Sequence, residues 1–191
     1  MISEKDGWIK KAHDTLFPLW SETHVLFPLV PFSWIIAFVS VENMAMNSVA
    51  SRLESHVINE IKLVKASKKS FKFPGFNDGP IYRAIIKYKE DSVEFQSIGT
   101  SWGLLQIMGY NLIVMGYSPE QYIQHTLKNS LHVSAQWVQH KLLPKAKTLA
   151  SALRLHNTGS VFGATYDPNY VPAAVQVERR YLQLYPGGGK N

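Results

Sequence analysis

The sequence predicts a mainly α-helical domain, and three observations support this class. With 46% hydrophobic and 18% charged residues, the 191-residue chain can bury a sizeable core and is not typical of a disordered protein. Apolar residues recur at helical spacing in its longest segments. Proline and glycine interrupt the chain at a few points, and the sequence contains no internal repeat.

The first part of the chain predicts an N-terminal arm over residues 1–30 and then a buried helix. The segment PFSWIIAFVSVENMAM at 31–46 is apolar on nearly all sides and starts with a proline, which the first helical turn tolerates. The apolar run from Leu26 to Val41 is shorter than the roughly 20 residues that a membrane span needs. No transmembrane segment is therefore expected.

The rest of the chain predicts further helices separated by breakers. The segment 81–94 mixes β-branched and charged residues without a clean period, and it is compatible with a helix or with a short β-hairpin. Ser118-Pro119-Glu120 is typical of a helix start, and Pro144 should kink or divide a long helical run. The expected helices lie at 121–129, 133–155 and 171–185, so that the domain spans 31–185 and residues 186–191 form a tail.

Charge and cysteine content restrict the possible partners and the possible catalytic groups. Twenty Lys and Arg against 14 Asp and Glu give a net charge of +6 and a pI near 9.4, which favours nucleic acid, anionic lipid or bacterial cell wall as partners. The lack of cysteine excludes disulfides, thiol nucleophiles and cysteine-based zinc sites. The seven histidines show no HExxH pair or comparable ligand spacing, so neither a metal nor a cofactor is expected.

A basic cluster between Ile61 and Phe73 contains no acidic residue. Long cationic side chains are common on solvated helix faces, which is the simplest interpretation. Contact with an anionic glycan or lipid is the functional alternative. Nucleic acid is not expected, because the sequence contains no recognisable module that binds it. The cluster consists of Lys62, Lys65, Lys68, Lys69 and Lys72.

Glu42 is the first candidate catalytic residue. It follows a run of almost wholly apolar positions and falls near the end of the predicted buried helix. Removal from water and the negative end of the helix dipole both favour the protonated carboxylic acid, which is the form that a general acid needs. The alternative is a glutamate at a helix end that simply reaches solvent.

A second candidate site is the segment SWGLLQIMG at 101–109. Gln106 lies in an apolar turn flanked by two glycines, which allow a ligand to approach the backbone. Its amide can donate to and accept from a sugar hydroxyl or acetamido group, and Trp102 can stack on a sugar ring. A short core helix with Gln106 pointing outward is the alternative.

The third candidate is the segment LHNTG at 155–159, where His156 and Asn157 directly follow a long helical run. Both side chains can form hydrogen bonds with a ligand. An asparagine followed closely by a glycine is also a common helix stop, which is the structural alternative.

Taken in order, these segments resemble a known family. Glu42, GLLQIMG at 103–109, HNTG at 156–159 and the pair Tyr170-Val171 are similar to successive motifs of lytic transglycosylases with a soluble-transglycosylase, goose-lysozyme-like catalytic domain. The resemblance covers residues 31–185 and implies a lysozyme-like fold. The segment RLESHV, followed by Glu94 shortly before TSWGLLQIMG, is more similar to a phage and bacterial branch of the superfamily.

The resemblance also implies roles for individual residues. Glu42 becomes the general acid, and Tyr170 approaches its carboxyl group. Gly103, Leu104, Gln106, Ile107 and Asn157 become saccharide-binding residues, with Trp102 beside them. The chain departs from the family pattern in the short distance from Asn157 to Tyr170 and at three motif positions, where Asn43 replaces serine, Leu105 replaces methionine and His156 replaces tyrosine.

The implied chemistry needs only one carboxyl group. An acid protonates the glycosidic oxygen as an oxocarbenium-like state develops, whereas hydrolases normally need a second carboxylate. In lytic transglycosylases the N-acetyl and 6-hydroxyl groups of muramic acid replace that carboxylate, and the same glutamate then acts as base. The product is a 1,6-anhydro sugar. Glu54 and Glu94 are candidates for a second carboxylate, which would make the protein a hydrolytic muramidase.

The expected partner is the glycan strand of peptidoglycan. The N-terminal segment MISEKDGWIKK has acids among its lysines and no secretory apolar core after it, so no signal peptide is predicted. Delivery to the cell wall or periplasm by phage lysis, a virion or a secretion machine is expected, with the arm contacting that apparatus. The alternatives are a non-catalytic structural or wall-binding protein and a basic DNA-binding protein.

Overall fold

The computed structural model describes residues 4–47 and 51–187, and it confirms the predicted mainly helical class. The chain divides into two units. The first consists of the described parts of Met1–Met46 and Leu127–Asn191, and the second of the described part of Asn47–Thr126. The domain boundaries expected from the sequence, 1–30, 31–185 and 186–191, do not coincide with these units. Residues 1–3 of the arm and 188–191 of the tail lie outside the described residues.

The first unit is built from long helices. Between the third and fourth of them, a π-helical turn, Val138–Leu142, continues the third helix. The helices are α1 (Glu4–Leu26), α2 (Phe32–Glu42), α8 (Leu127–Trp137), α9 (Leu149–Thr158) and α10 (Tyr170–Leu184), and α3 to α7 belong to the other unit.

Most of the predicted arm is the helix α1, whose inner face is buried. Ile9, Leu16 and Trp20 recur at intervals of three to seven residues, as the buried stripe of an amphipathic helix requires. The start of α1 is also tied to α10, because Arg180 donates to both carboxylate oxygens of Asp6 at 2.7 and 2.8 Å. This bidentate pair and the apolar stripe make α1 part of the first unit's core.

The buried helix predicted over 31–46 is α2, and its borders follow from local chemistry. Pro31 precedes it in an extended conformation, and Asn43 ends it by donating its backbone N–H to the Val39 carbonyl at 2.9 Å. Helix α10 packs along it in the opposite direction, since Tyr181 lies against Phe32 at the start of α2, with ring centroids 6.0 Å apart. The start of α10 is thereby placed at the end of α2.

The helical run expected over 133–155 is divided, as the position of Pro144 predicted. Helix α8 passes into the π-helical turn, and α9 begins only at Leu149, after a capping box between Thr148 and Ser151. Gly159 ends α9 with φ of 76° and donates its N–H to the Leu155 carbonyl at 2.9 Å. The predicted helix stop is therefore confirmed, because glycine adopts this left-handed conformation without steric cost.

The second unit combines short helices with a three-stranded antiparallel sheet in the order β1-β2-β3. The register pairs Arg52 with Ser101 and Ser101 with Met108. The elements are β1 (Ser51–Leu53), α3 (Ser55–Lys65), a 3₁₀ turn (Pro74–Phe76), α4 (Gly79–Lys87), α5 (Val93–Ile98), β2 (Thr100–Trp102), β3 (Ile107–Met108), α6 (Gly109–Val114) and α7 (Pro119–Tyr122).

The structure decides two expectations for this unit. The segment 81–94, compatible from its sequence with a helix or a short β-hairpin, contains the end of α4 and the start of α5 with a turn between them. Helix α5 begins after Ser92, whose hydroxyl accepts from the Phe95 N–H at 3.2 Å. The short hairpin lies between β2 and β3. The helix expected over 121–129 is wrong, since α7 ends at Tyr122 and α8 begins at Leu127.

Over residues 4–47 and 51–187, no helix combines the length and the apolar character needed to cross a membrane. The most apolar of the helices, α2, has only 11 residues.

Two glycines make a matched test of the packing. A Cβ on Gly109 would overlap the Ser97 carbonyl oxygen, whereas a Cβ on Gly7 in α1 meets no described atom within 4 Å. Gly109→Ala should lower the free energy of unfolding by about 1–3 kcal/mol, because backbone atoms must shift. Gly7→Ala should raise it by about 0.5–1 kcal/mol through helix propensity. Urea denaturation measures both, and equal effects of the two variants would contradict the packing described.

The described histidines also predict how stability depends on pH. Burial lowers the pKa of His125 and His132 below the ordinary value of 6.5. The unfolded chain therefore takes up protons first as the pH falls through 6.5, so the free energy of unfolding is highest above that pH and decreases below it. Urea titrations between pH 8 and pH 5 should show this decrease. It should be smaller in His125→Leu, and an identical pH dependence in that variant would contradict the prediction.

Candidate active site

The candidate acid, Glu42, is the last residue of α2. The preceding residues from Ile35 to Val39 are buried, so the helix delivers this carboxyl group from the core to the edge of the unit. The Glu42 side chain is 13% exposed. It is therefore largely removed from water and still accessible to a small group of a ligand.

The Tyr170 hydroxyl donates a hydrogen bond to Glu42 Oε1. Tyr170 is the first residue of α10, and the antiparallel packing of α10 on α2 brings it to the end of α2. Burial, reinforced by the negative charge of Glu42, raises the pKa of the Tyr170 hydroxyl far above its usual range. Tyr170 therefore stays protonated and remains a hydrogen-bond donor at physiological pH.

The His156 ring faces the same oxygen. Its Nε2 lies 3.4 Å from Glu42 Oε1, and its side chain is only 6% exposed. On the other side of the ring, Trp137 Nε1 donates to His156 Nδ1 at 3.0 Å. Because an indole nitrogen can only donate, Nδ1 must accept, and the neutral imidazole carries its proton on Nε2. An N–H group of His156 therefore points toward Glu42.

The two contacts make the two oxygens of the Glu42 carboxyl group different. Tyr170 on α10 and His156 on α9 both contact Oε1. Within the described residues, Oε2 is the oxygen that remains to hold or receive a proton. The arrangement is that of a single carboxyl group, oriented by the Tyr170 hydrogen bond and by the nearby His156 ring, which can give up one proton and accept another.

The Trp137 contact is the part of this site that sequence reasoning missed. Trp137 lies 19 residues before its partner His156, on a different helix. No local pattern connects two such positions. Phe38 completes the surroundings of the histidine with an edge contact, at 5.4 Å between ring centroids.

Another acidic residue of the first unit, Glu178, is separate from this site. Burial raises the pKa of its carboxyl group, and the Trp34 and Ser33 side chains in the first turn of α2 oppose that rise. It lies eight residues beyond Tyr170, or about 12 Å along α10. That distance exceeds the roughly 5–9.5 Å between paired glycosidase carboxylates. Glu178 stabilises the start of α2.

The glycine motif lies in the second unit, as the turn between β2 and β3. Gly103 and Gln106 both have positive φ, 75° and 48°. The Gln106 side chain contacts its own turn, accepting from Ser101 Oγ at 3.2 Å and donating to the Gly103 carbonyl at 2.9 Å. Leu104, Leu105 and Ile107 are buried. The alternative of a short core helix is therefore wrong, and contact of this turn with a saccharide stays a prediction.

The other predicted residues have local contacts. Trp102 donates its indole N–H to the Ser97 carbonyl at 3.0 Å. Glu54 accepts from Arg52 Nε at 2.7 Å at the start of α3. Glu94 lies in the first turn of α5, and Asn157 is exposed on α9, one residue beyond His156. The structure thus brings together Glu42, Tyr170 and His156, while Trp102, Glu54 and Glu94 belong to the second unit.

The basic cluster is partly neutralised within the second unit. Lys62 lies 2.9 Å from Asp91, Lys65 donates to two backbone carbonyls, and Lys72 lies 3.9 Å from Glu60. This pattern is typical of a solvated, structurally paired face. Nowhere in the described ranges do three or more histidine or carboxylate side chains group in a way that suits a metal ion.

A double-mutant cycle tests the contact at the centre of the site. Glu42→Ala and Tyr170→Phe each remove one partner, and their effects on the free energy of unfolding should be coupled by about 1–3 kcal/mol, as for a hydrogen bond to a charged group. The control cycle pairs Glu42→Ala with Tyr181→Phe, at the far end of α10, and should be additive to within about 0.5 kcal/mol. Additivity in both cycles would exclude the Tyr170 contact.

Comparison with known proteins gives no significant match to the chain, whether among protein-family models, curated proteins or solved structures. A function must therefore be argued from the residues and geometry described above.

Proposed function

We propose that this protein is a peptidoglycan lytic transglycosylase that cleaves the β-1,4 bond between N-acetylmuramic acid and N-acetylglucosamine. The observation that carries the proposal is the environment of Glu42, a largely buried carboxyl group at a helix end whose contacts with Tyr170 and His156 involve Oε1, with no partner for Oε2 among residues 4–47 and 51–187. The order of motifs along the chain, from Glu42 to Tyr170, supports the same activity through resemblance. The proposal includes a lysozyme-like fold, with which a mainly helical chain with short antiparallel strands is compatible.

In the first step Glu42 acts as general acid. Its Oε2 proton moves to the glycosidic oxygen, the bond from that oxygen to C1 of muramic acid breaks, and positive charge develops on the sugar ring. The substrate's own N-acetyl group stabilises this charge, as the family resemblance implies. Glu42 is then a carboxylate, and the Tyr170 hydroxyl and the His156 N–H face the oxygen that carries its new charge.

In the second step the same carboxylate acts as base. It removes the proton of the 6-hydroxyl group of muramic acid while that oxygen bonds to C1, which closes the 1,6-anhydro ring. The first proton stays on the leaving group, and Glu42 is reprotonated by the 6-hydroxyl proton, so that no water is consumed. The carboxyl group must keep its orientation through both steps, and the Tyr170 hydrogen bond and the nearby His156 ring serve this purpose.

Within the described part of the first unit, Glu178 lies too far along α10 to act as a second carboxylate, and the Asp167 carboxylate accepts the Asn169 N–H. These placements favour this route over hydrolysis. Hydrolysis would need Glu54 or Glu94 of the second unit, and Glu54 is paired with Arg52. A hydrolytic muramidase and a non-catalytic wall-binding protein are the alternatives that the experiment below separates.

The proposed partner is the glycan strand of peptidoglycan. Action at the cell wall, after delivery by phage lysis, a virion or a secretion machine, belongs to the proposal. Contact of residues 1–30 with that apparatus also belongs to the proposal. At the end of α1, Val25 and Leu26 are 78% and 59% exposed and are available for such a contact.

Mass spectrometry of muropeptides released from purified peptidoglycan tests the proposal. The wild type should release 1,6-anhydromuramoyl products, which are lighter than hydrolysed products by one water. Glu42→Gln should reduce their release by at least about 100-fold, because an amide cannot donate the proton. Glu178→Gln is the matched control, an equally conservative change in the same unit, and should keep the activity.

Each other outcome has a definite meaning. Products with reducing ends would replace the transglycosylase by a muramidase and direct attention to Glu54 and Glu94. Release that persists in Glu42→Gln would exclude this residue as the acid. No release from several types of cell wall would favour the non-catalytic protein.

A further inference from the structure

The segment 159–169, which we call the aromatic loop, connects the two helices that supply donors to Glu42. It begins directly after α9, which carries His156, and ends directly before α10, which starts with Tyr170. Both ends are therefore anchored at the candidate site. Tyr166 is four residues from Tyr170, so that their Cα atoms are at most about 14 Å apart. Any ligand that reaches Glu42 lies within reach of this loop.

The aromatic loop is held by its own hydrogen bonds. The Thr158 hydroxyl accepts from the Ser160 N–H at 3.2 Å, and the Asp167 carboxylate accepts from the Asn169 N–H at 2.8 Å. Thr165 Oγ1 donates to the Asp167 carbonyl at 2.7 Å. Gly163 packs so closely on Thr158 that a Cβ would overlap the threonine hydroxyl. Such a loop presents its side chains in a defined orientation rather than as a flexible linker.

Two aromatic side chains of this ordered loop are almost fully exposed. Phe162 is 92% exposed, and Tyr166 is fully exposed. Single exposed apolar residues are common, but two large aromatic rings presented by one short, internally bonded loop are not explained by packing. An aromatic face that the fold does not use is available to a ligand.

The chemistry of the loop favours an uncharged ligand. In GSVFGATYDPN at 159–169 the one charged residue is Asp167, and its carboxylate already accepts the Asn169 N–H. An anionic polymer would require lysine or arginine there. A pyranose ring offers apolar C–H faces with polar edges, which suits the negative face of an aromatic ring combined with nearby hydroxyl and backbone groups.

We infer that the aromatic loop is a glycan-binding platform, on which Phe162 and Tyr166 stack against sugar rings of the strand that enters the Glu42 site. This inference rests on the proposed function, because it takes the peptidoglycan glycan as ligand. Phe162 and Tyr166 would then be specificity-determining residues that lie outside every motif described from the sequence. Their contribution is to bind and align the strand, while the proton transfers belong to Glu42.

Binding without cleavage tests the inference most directly. In the Glu42→Gln protein, isothermal titration calorimetry measures the affinity for peptide-free glycan strands prepared from peptidoglycan. Phe162→Ala and Tyr166→Ala should each weaken binding by about 2- to 12-fold, the range for aromatic contacts beyond simple burial. Tyr166→Phe should keep the affinity, because the ring face remains, whereas Tyr166→Leu should lose it. Phe71→Ala is the matched control, since Phe71 is 91% exposed in the second unit.

The outcomes separate the inference from the proposed function. Unchanged affinity in both alanine variants would overturn the platform even if the wild type cleaves peptidoglycan. Equal losses in Tyr166→Ala and Phe71→Ala, or no binding of glycan by the Glu42→Gln protein, would overturn it as well. Ring-dependent binding together with a wild type that releases no muropeptide would support the platform and reject the transglycosylase.

Discussion

The antiparallel packing of α10 on α2 is the interaction on which the rest of the first unit depends. Helix α2 is apolar on almost every face, so it is stable only when neighbouring helices cover it. Tyr181 packs on Phe32 at one end of the pair, and Tyr170 reaches Glu42 at the other. The same contact that buries α2 therefore sets the position of the donor beside the candidate acid.

A carboxyl group at the end of a buried helix needs hydrogen-bond partners from nearby residues. Removing it from water is costly unless hydrogen-bond donors replace the water molecules. The chain supplies these donors from two further helices, through Tyr170 on α10 and His156 on α9. Trp137 then orients His156 by occupying its other nitrogen. Tyr170 and the His156 side chain are buried, and such a network fixes one geometry because any partial version of it would leave polar atoms unpaired.

This network links the packing of the core to the proposed chemistry. A transglycosylase uses one carboxyl group twice, and the group must not rotate between the two proton transfers. The Tyr170 hydrogen bond and the nearby His156 ring, both at Oε1, orient the Glu42 carboxyl group, and among the described residues they leave Oε2 for the proton. The aromatic loop joins the helices that carry these donors, so a ligand aligned on Phe162 and Tyr166 is aligned with respect to the same rigid frame.

Local composition and spacing were sufficient to predict the mainly helical class, the position of α2 and the helix stop at Gly159. They also indicated Glu42 as the candidate acid, and the order of motifs indicated Tyr170. The predicted helix over 31–46 was too long, since α2 ends at Glu42, the helix over 121–129 was wrong, and the structure of 81–94 stayed open. The contact between Trp137 and His156, and the placement of both Glu42 contacts at Oε1, could not be predicted, because they join residues far apart in the chain whose meeting depends on how the helices pack.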